Sequence, residues 1–231
     1  MATVVTQHQP GLSRAATLPA SQRPVPVFPI GAAFGAALLL AGAILVVKGT
    51  DSPGIVTALR VTARWSFLLF WIAYAGKATA KLFGPTFEHL ARGRDFGLAY
   101  GAAQLIHILL VVRLFHISPT PPLSGNLFWF FVIAIVWTYL LVLFSFGRLV
   151  EILGPRGWRA LRLVGMNYIL LAFARDFVPP VLHSWGASYG RSLLIEYLPF
   201  AAMCIAAPVL VIAAAARRRL AMNPASEPAS V

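Results

Sequence analysis

Of the five histidines in this 231-residue sequence, His8, His89, His107, His116 and His183, one stands deep inside a long apolar run. His107 sits in QLIHILLVV, where an ionisable group is costly and is read first as a functional one. A neutral imidazole there offers a lone pair to a metal or accepts a proton. The plainer alternative is a neutral ring hydrogen-bonded to a neighbouring helix, through Tyr168 or Thr138 for example. His116 follows nine residues later, about half a turn out of phase at 100° per residue, so the two are not a ligand pair.

The stretch WRALRLVGMNYILLAFARDFV, residues 158–178, poses the complementary problem, because it carries Arg162 and Arg175 on one apolar segment. A guanidinium stays protonated and has no lone pair, so it binds anions and not metals. Near the start of its segment, Arg162 reads as a snorkelling surface cation. Arg175 precedes Asp176 and the pair Pro179-Pro180, which favours local pairing or capping at the end of the helix. Met166 and Met203 are isolated methionines that read as packing. Cys204 is the sole cysteine, so no internal disulfide or cysteine cluster is available. Glu151 and Glu196 are too isolated to form an acid/base dyad. No phosphate-cradling glycine loop or catalytic triad occurs.

The elements that must position these groups follow from composition. The chain is 59% hydrophobic and 11% charged, with a mean hydropathy of +0.78. Soluble domains run at about 45–50% apolar and 25% charged, so this is an integral membrane protein. The net charge of +12 is spread in short basic clusters between apolar runs, a membrane-topology pattern that argues against nucleic-acid binding. About 20 apolar residues cross a bilayer, and six segments qualify: 28–47, 65–82, 97–115, 128–146, 161–177 and 194–215. The expected fold is an all-α polytopic membrane protein, a six-transmembrane-helix bundle. Residues 1–26 read as a disordered cytoplasmic tail retained in the mature chain, 27–217 as the bundle and 218–231 as a second tail.

Lysines and arginines concentrate in the tails and in the second and fourth connections, which places both termini in the cytoplasm of a cell inner membrane. The aromatic run FWFFVIAIVWTYLLVLFSF reads as packing and lipid-facing surface, with Trp129 in the interfacial belt. The outer segment VLHSWGASYG, with His183, Trp185 and Tyr189, reads as an interfacial anchor or as a lid over an outer site.

The run RGRDFGLAYGAAQLIHILL, residues 92–110, resembles the third helix of the ferric reductase-like transmembrane family, in which a basic pair leads to a haem-ligating histidine. His107 matches that histidine. TARWSFLLFWIAYAGKATAKLFG, residues 62–84, looks like the family's second helix. FSFGRLVEILGPRGWRALRLVGMNYILLAF resembles its passage from helix four into helix five. The resemblance covers most of residues 30–215 and implies an electron-transfer membrane subunit carrying b-type haem between imidazoles of different helices.

Arg162 and Arg175 fall where the family's two helix-five histidines stand, so both of those ligands are lost. What remains is at most one haem b, with His107 as its metal ligand. Arg175 is the second cofactor-binding candidate: pointing into the cavity, it would hold a haem propionate, a lipid phosphate or a quinone carbonyl. No flavin or nucleotide site is expected in this chain, so the resemblance implies a separate flavoprotein or quinol partner besides the lipid bilayer. The alternative is a non-redox membrane binding or assembly protein that kept the bundle and lost haem.

Overall fold

The computed structural model describes residues 27–146, 149–184 and 191–222. The tail 1–26 with His8, Arg148, Trp185, Tyr189 and residues 223–231 lie outside the described residues. Every element described is helical: α1 (Val27–Lys48), α2 (Ser52–Phe83), a 3₁₀ helix (Pro85–Ala91), α3 (Gly93–Ile117), α4 (Gly125–Ser145), α5 (Leu149–Ser184) and α6 (Arg191–Met222).

Local chemistry sets the boundaries. Asp51 caps α2, its side chain accepting from Gly54 N at 3.2 Å, and Pro53 occupies the first turn, where a missing N–H costs nothing. The helix therefore begins at Ser52 rather than near Trp65, and brings the polar Arg60, Thr62 and Arg64 onto a continuous helix. It stops at Gly84, whose φ of +91° is open to glycine, just before Pro85. In α5, Gly154 at φ +65° breaks the helix ahead of Pro155, so residues 149–153 form a short separate turn. At the far end, α6 runs on through Arg218 and Arg219, where a tail was expected. Arg217 donates to the carbonyls of Lys81 and Leu82, each at 3.3 Å, covering the exposed C-terminal carbonyls of α2.

Five of these helices, α1 to α4 and α6, are long and apolar enough to cross a membrane. The expected fifth span lies within α5, which is long enough but falls short in apolarity. Asn167, Arg175 and Asp176 interrupt its run. The protein is thus an all-helical, multi-pass membrane chain.

The helices pack in the order α3, α2, α6, α5, α4, and α1 lies against the outside of α2 and α3. Ala33, Ala37 and Ala41, at i, i+4 spacing, are the buried residues of α1; their small side chains allow close backbone approach where apolar lipid gives no hydrophobic drive. Indole N–H groups add ties across helices: Trp65 donates to Ala33 O at 3.1 Å and Trp71 to Met203 O at 3.0 Å.

The centre is aromatic. Phe67 of α2 meets Phe173 and Phe177 of α5 edge-on, at centroid separations of 5.0 and 5.1 Å, and Phe70 meets Tyr100 at 5.4 Å. On the other flank, α4 packs closely on α5 at Gly165, where a Cβ would lie 3.0 Å from Trp137 Cε3. α3 and α4 meet closely at one level, where Gly101 leaves no space for a Cβ beside Val142 and Tyr139 donates to Gly101 O at 3.3 Å, and meet less above and below it. Room is left inside the ring along that seam.

Candidate functional site

Two cavities occupy this room, stacked along the bundle. One, of about 550 Å³, lies toward the end formed by the start of α2 and the end of α3. The other, of about 330 Å³, lies toward the end formed by the start of α3 and the end of α4. Tyr100, Thr138 and Ile169 line both and form the partition. The smaller lies at the end of the bundle richer in basic residues and is called the inner cavity, the larger the outer cavity.

A hydroxyl has one proton, and that fixes the direction of the bond across the partition. Thr138 donates to Ala134 O at 2.9 Å, so in its 3.1 Å contact with Tyr100 the tyrosine is the donor.

The same accounting orients His107. Thr62 Oγ1 donates to the carbonyl of Ala58 at 2.9 Å, with Leu59 O at 3.2 Å, which uses its only proton. His107 Nδ1, 3.1 Å from Thr62 Oγ1, must then be the protonated nitrogen. Nε2 is left with its lone pair, has no protein partner among the described residues, and belongs to a side chain in the cavity wall. The partner is Thr62 of α2 and not Tyr168 or Thr138, which are engaged elsewhere; Tyr168 donates to Phe130 O.

The outer wall holds further polar groups that the sequence did not single out. Gln104 Oε1 and Arg64 Nε are buried without a hydrogen-bond partner, and both residues line the cavity. Buried polar atoms are normally satisfied, so unpaired ones in a cavity wall mark where a ligand belongs. Arg64 is otherwise committed: its Nη2 pairs with Glu196 at 2.6 Å and its guanidinium lies over the rings of Tyr197 and Phe200 at 5.1 and 5.6 Å. Glu196, read from sequence as isolated, is thus the counter-ion of a cation within a membrane helix. Arg60, one turn from Arg64, lines the same cavity.

Arg175 does not reach the cavity. It lines neither chamber; the charged α5 residue in the outer wall is Asp176, which like Arg175 is also partly open to the surface. Helical phase explains the difference. Thirteen residues from Arg162 leave a side chain about 140° away, whereas fourteen return it to within about 40°. The position that faces the cavity above Arg162 carries a carboxylate, which lies within electrostatic reach of Arg60, Arg64 and Arg175. His107 does share its chamber with cations, but they come from α2.

The inner cavity is built differently. Arg94, Arg162, Ser145 and Trp158 line it among apolar side chains, and no carboxylate does. Arg94 Nε donates to Ser145 O at 3.2 Å. Arg162 Nη2 lies beside Gly93 of α3, 3.6 Å from where a Cβ would stand. Met166 also lines this chamber.

The remaining candidates are dispersed. His89 and His116 are exposed, and His183 Nδ1 meets the Pro179 carbonyl at 2.6 Å on the same helix. Cys204 is buried and unpaired. Among the described residues no three His, Cys, Asp or Glu side chains gather as a metal site.

For haem, the outer wall supplies one imidazole donor and two cations suited to carboxylates. Across from His107, however, α5 presents Ile169, Ala172, Phe173, Asp176 and Phe177, with no second imidazole, thioether or thiolate. A bis-imidazole site does not fit these residues, and a single-imidazole site does. Searches of protein-family models, curated proteins and solved structures find no match to this chain.

Proposed function

We propose that the chain is a six-span membrane electron-transfer subunit of the ferric reductase-like kind, in which α5 is the sixth span and the outer cavity holds one haem b on His107. The observation that carries this reading is the 3.1 Å contact of His107 Nδ1 with Thr62 Oγ1, whose own proton goes to Ala58 O, in the wall of a cavity of about 550 Å³; it supports a neutral ring with the Nε2 lone pair free. Volumes of about 300–1,000 Å³ are usual for cofactor-sized sites. When bound, haem would supply one-electron exchange.

The chain's own residues do the rest. Thr62 fixes the plane and tautomer of the imidazole, as partners of ligating histidines commonly do. Arg64 Nε, left free by the Glu196 pair, offers a donor, Gln104 offers an acceptor, and the aromatic cluster around Phe173 and Phe177 walls one side. Electrons would come from a separate flavoprotein or quinol, in a cell inner membrane with both termini cytoplasmic.

Expression with a haem precursor followed by oxidised and reduced visible spectra tests this. A reducible b-type band is expected that shifts with carbon monoxide, because the position opposite His107 is open. His107→Ala should abolish it and Thr62→Val should weaken it. A colourless preparation despite ample haem overturns the redox reading. The orphaned Gln104 Oε1 and the missing second donor would then favour a non-redox membrane protein that binds an uncoloured amphiphile in the same chamber.

A further inference from the structure

We propose that the surface between the ends of α2 and α6 docks one anionic lipid that carries two phosphate groups. The two helices run in the same direction, as the pairs Arg64 with Glu196, Trp71 with Met203 and Lys81 with Arg217 show. Their ends are held level where Arg217 donates to the carbonyls of Lys81 and Leu82. That contact commits Arg217 to the backbone. Three further cations remain around it. Lys81 lies within electrostatic reach of Lys77, one turn earlier on α2, and of Arg218, and both groups that act on it are positive. All three are exposed, and among the described residues none of them is in an ion pair. Like charges this close repel where the surroundings screen less than water, and an anion among them relieves it.

Depth and flanks select a lipid over a soluble anion. Lys77 stands six residues before the end of α2, about 9 Å along the axis, so its stem must run along apolar surface to bring the ammonium to phosphate level. Phe83 and Leu220, 61% and 77% exposed, flank the cations at the same end and offer apolar surface to acyl chains. An acidic protein segment would leave that surface uncovered. Charge sets the number of phosphates. A single diester leaves two of the three cations unbalanced, whereas two diesters on one lipid leave one, and basic surfaces between membrane helices suit such multiply charged headgroups. The site uses no residue that lines either cavity and does not depend on haem.

Native mass spectrometry of the purified chain with added tetraoleoyl cardiolipin, palmitoyl-oleoyl phosphatidylglycerol or phosphatidylcholine tests the proposal. Cardiolipin should be retained best and phosphatidylcholine least. Lys77→Gln/Lys81→Gln should weaken cardiolipin retention about thirtyfold. Arg156→Gln/Arg159→Gln, which removes two exposed cations of α5 from the same end of the bundle, should change it by less than about twofold. Equal losses in the two double variants overturn the proposal, because cations anywhere at this end would then serve. Retention of phosphatidylglycerol equal to that of cardiolipin overturns the second phosphate, and unchanged retention in Lys77→Gln/Lys81→Gln overturns the site and leaves the surface to an acidic protein. Displacement of cardiolipin by millimolar inorganic phosphate also overturns it, in favour of a soluble anion. Should Lys77→Gln/Lys81→Gln fail to fold, thermal unfolding of the parent chain with each lipid decides. No gain with cardiolipin over phosphatidylglycerol sinks the idea.

Discussion

The outer and inner cavities share a partition of three side chains and differ in how their charge is balanced. In the outer chamber Arg64 is neutralised by Glu196, and Asp176 of α5 stands close to both Arg60 and Arg64. In the inner chamber Arg94, which donates to Ser145 O, and Arg162 line the wall, and among the described residues lining it there is no carboxylate. The outer site is therefore electrically provided for by the chain itself, and what it lacks is a partner for neutral lone-pair groups: His107 Nε2 and Gln104 Oε1. Stacked in one bundle, the two chambers differ in their polar walls, and the chemistry that separates them is the identity of residues 162 and 176 on one helix.

The largest effect should come from breaking the charge balance of the outer chamber. Glu196→Gln leaves the Arg64 guanidinium without its counter-ion in a side chain only 18% exposed. Breaking a fully buried pair costs about 3–5 kcal/mol, and a charge in a membrane helix about 3 kcal/mol. Glu196 itself is 39% exposed, so a loss of about 2 kcal/mol is expected, read as a lower unfolding temperature in detergent. The double variant Arg64→Gln/Glu196→Gln should recover much of it. A double variant as unstable as Glu196→Gln alone would mean that the arginine's packing on Tyr197 and Phe200, and not the ion pair, holds α6 to α2.

A smaller effect is expected at the partition. Thr138→Val keeps the shape and removes the acceptor of the Tyr100 hydroxyl, leaving that donor without a partner between the chambers. Interhelical hydrogen bonds in membranes average about 0.6 kcal/mol, and an orphaned buried hydroxyl raises this to about 1 kcal/mol. Calorimetry or a fluorescence melt would show it.

Much of this architecture was legible in the sequence, and the reasons are physical. Apolar runs of membrane length located all six long helices, and Gly84-Pro85 and Gly154-Pro155 marked breaks that a missing N–H and a positive φ enforce. Helix ends were harder. The start of α2 is set by the Asp51 cap and not by hydropathy, so its first turns, with Arg60, Thr62 and Arg64, were read as lying before the span.

That His107 lies inside the bundle was legible in the sequence; what surrounds it was not. Which threonine meets His107 depends on how α2 lies against α3, a matter of packing that no local pattern carries. Glu196 looked isolated because its partner stands 132 residues away in the chain.

Arg175 is the exception, since its misplacement could have been avoided with arithmetic alone. At 100° per residue, position 175 turns away from the face of Arg162 and position 176 returns to it. The last and smallest effect tests that register. Arg175→Leu, at an exposed position lining neither cavity, should change stability by no more than about 0.5 kcal/mol. Asp176→Asn, which removes the one ionisable group α5 gives to the outer wall and leaves Arg60 with less opposing charge, should cost about twice that. Thermal unfolding of the two variants side by side is sufficient. If Arg175→Leu proves the more damaging, α5 is rotated by one residue from the arrangement described, and the carboxylate, not the guanidinium, belongs outside the bundle.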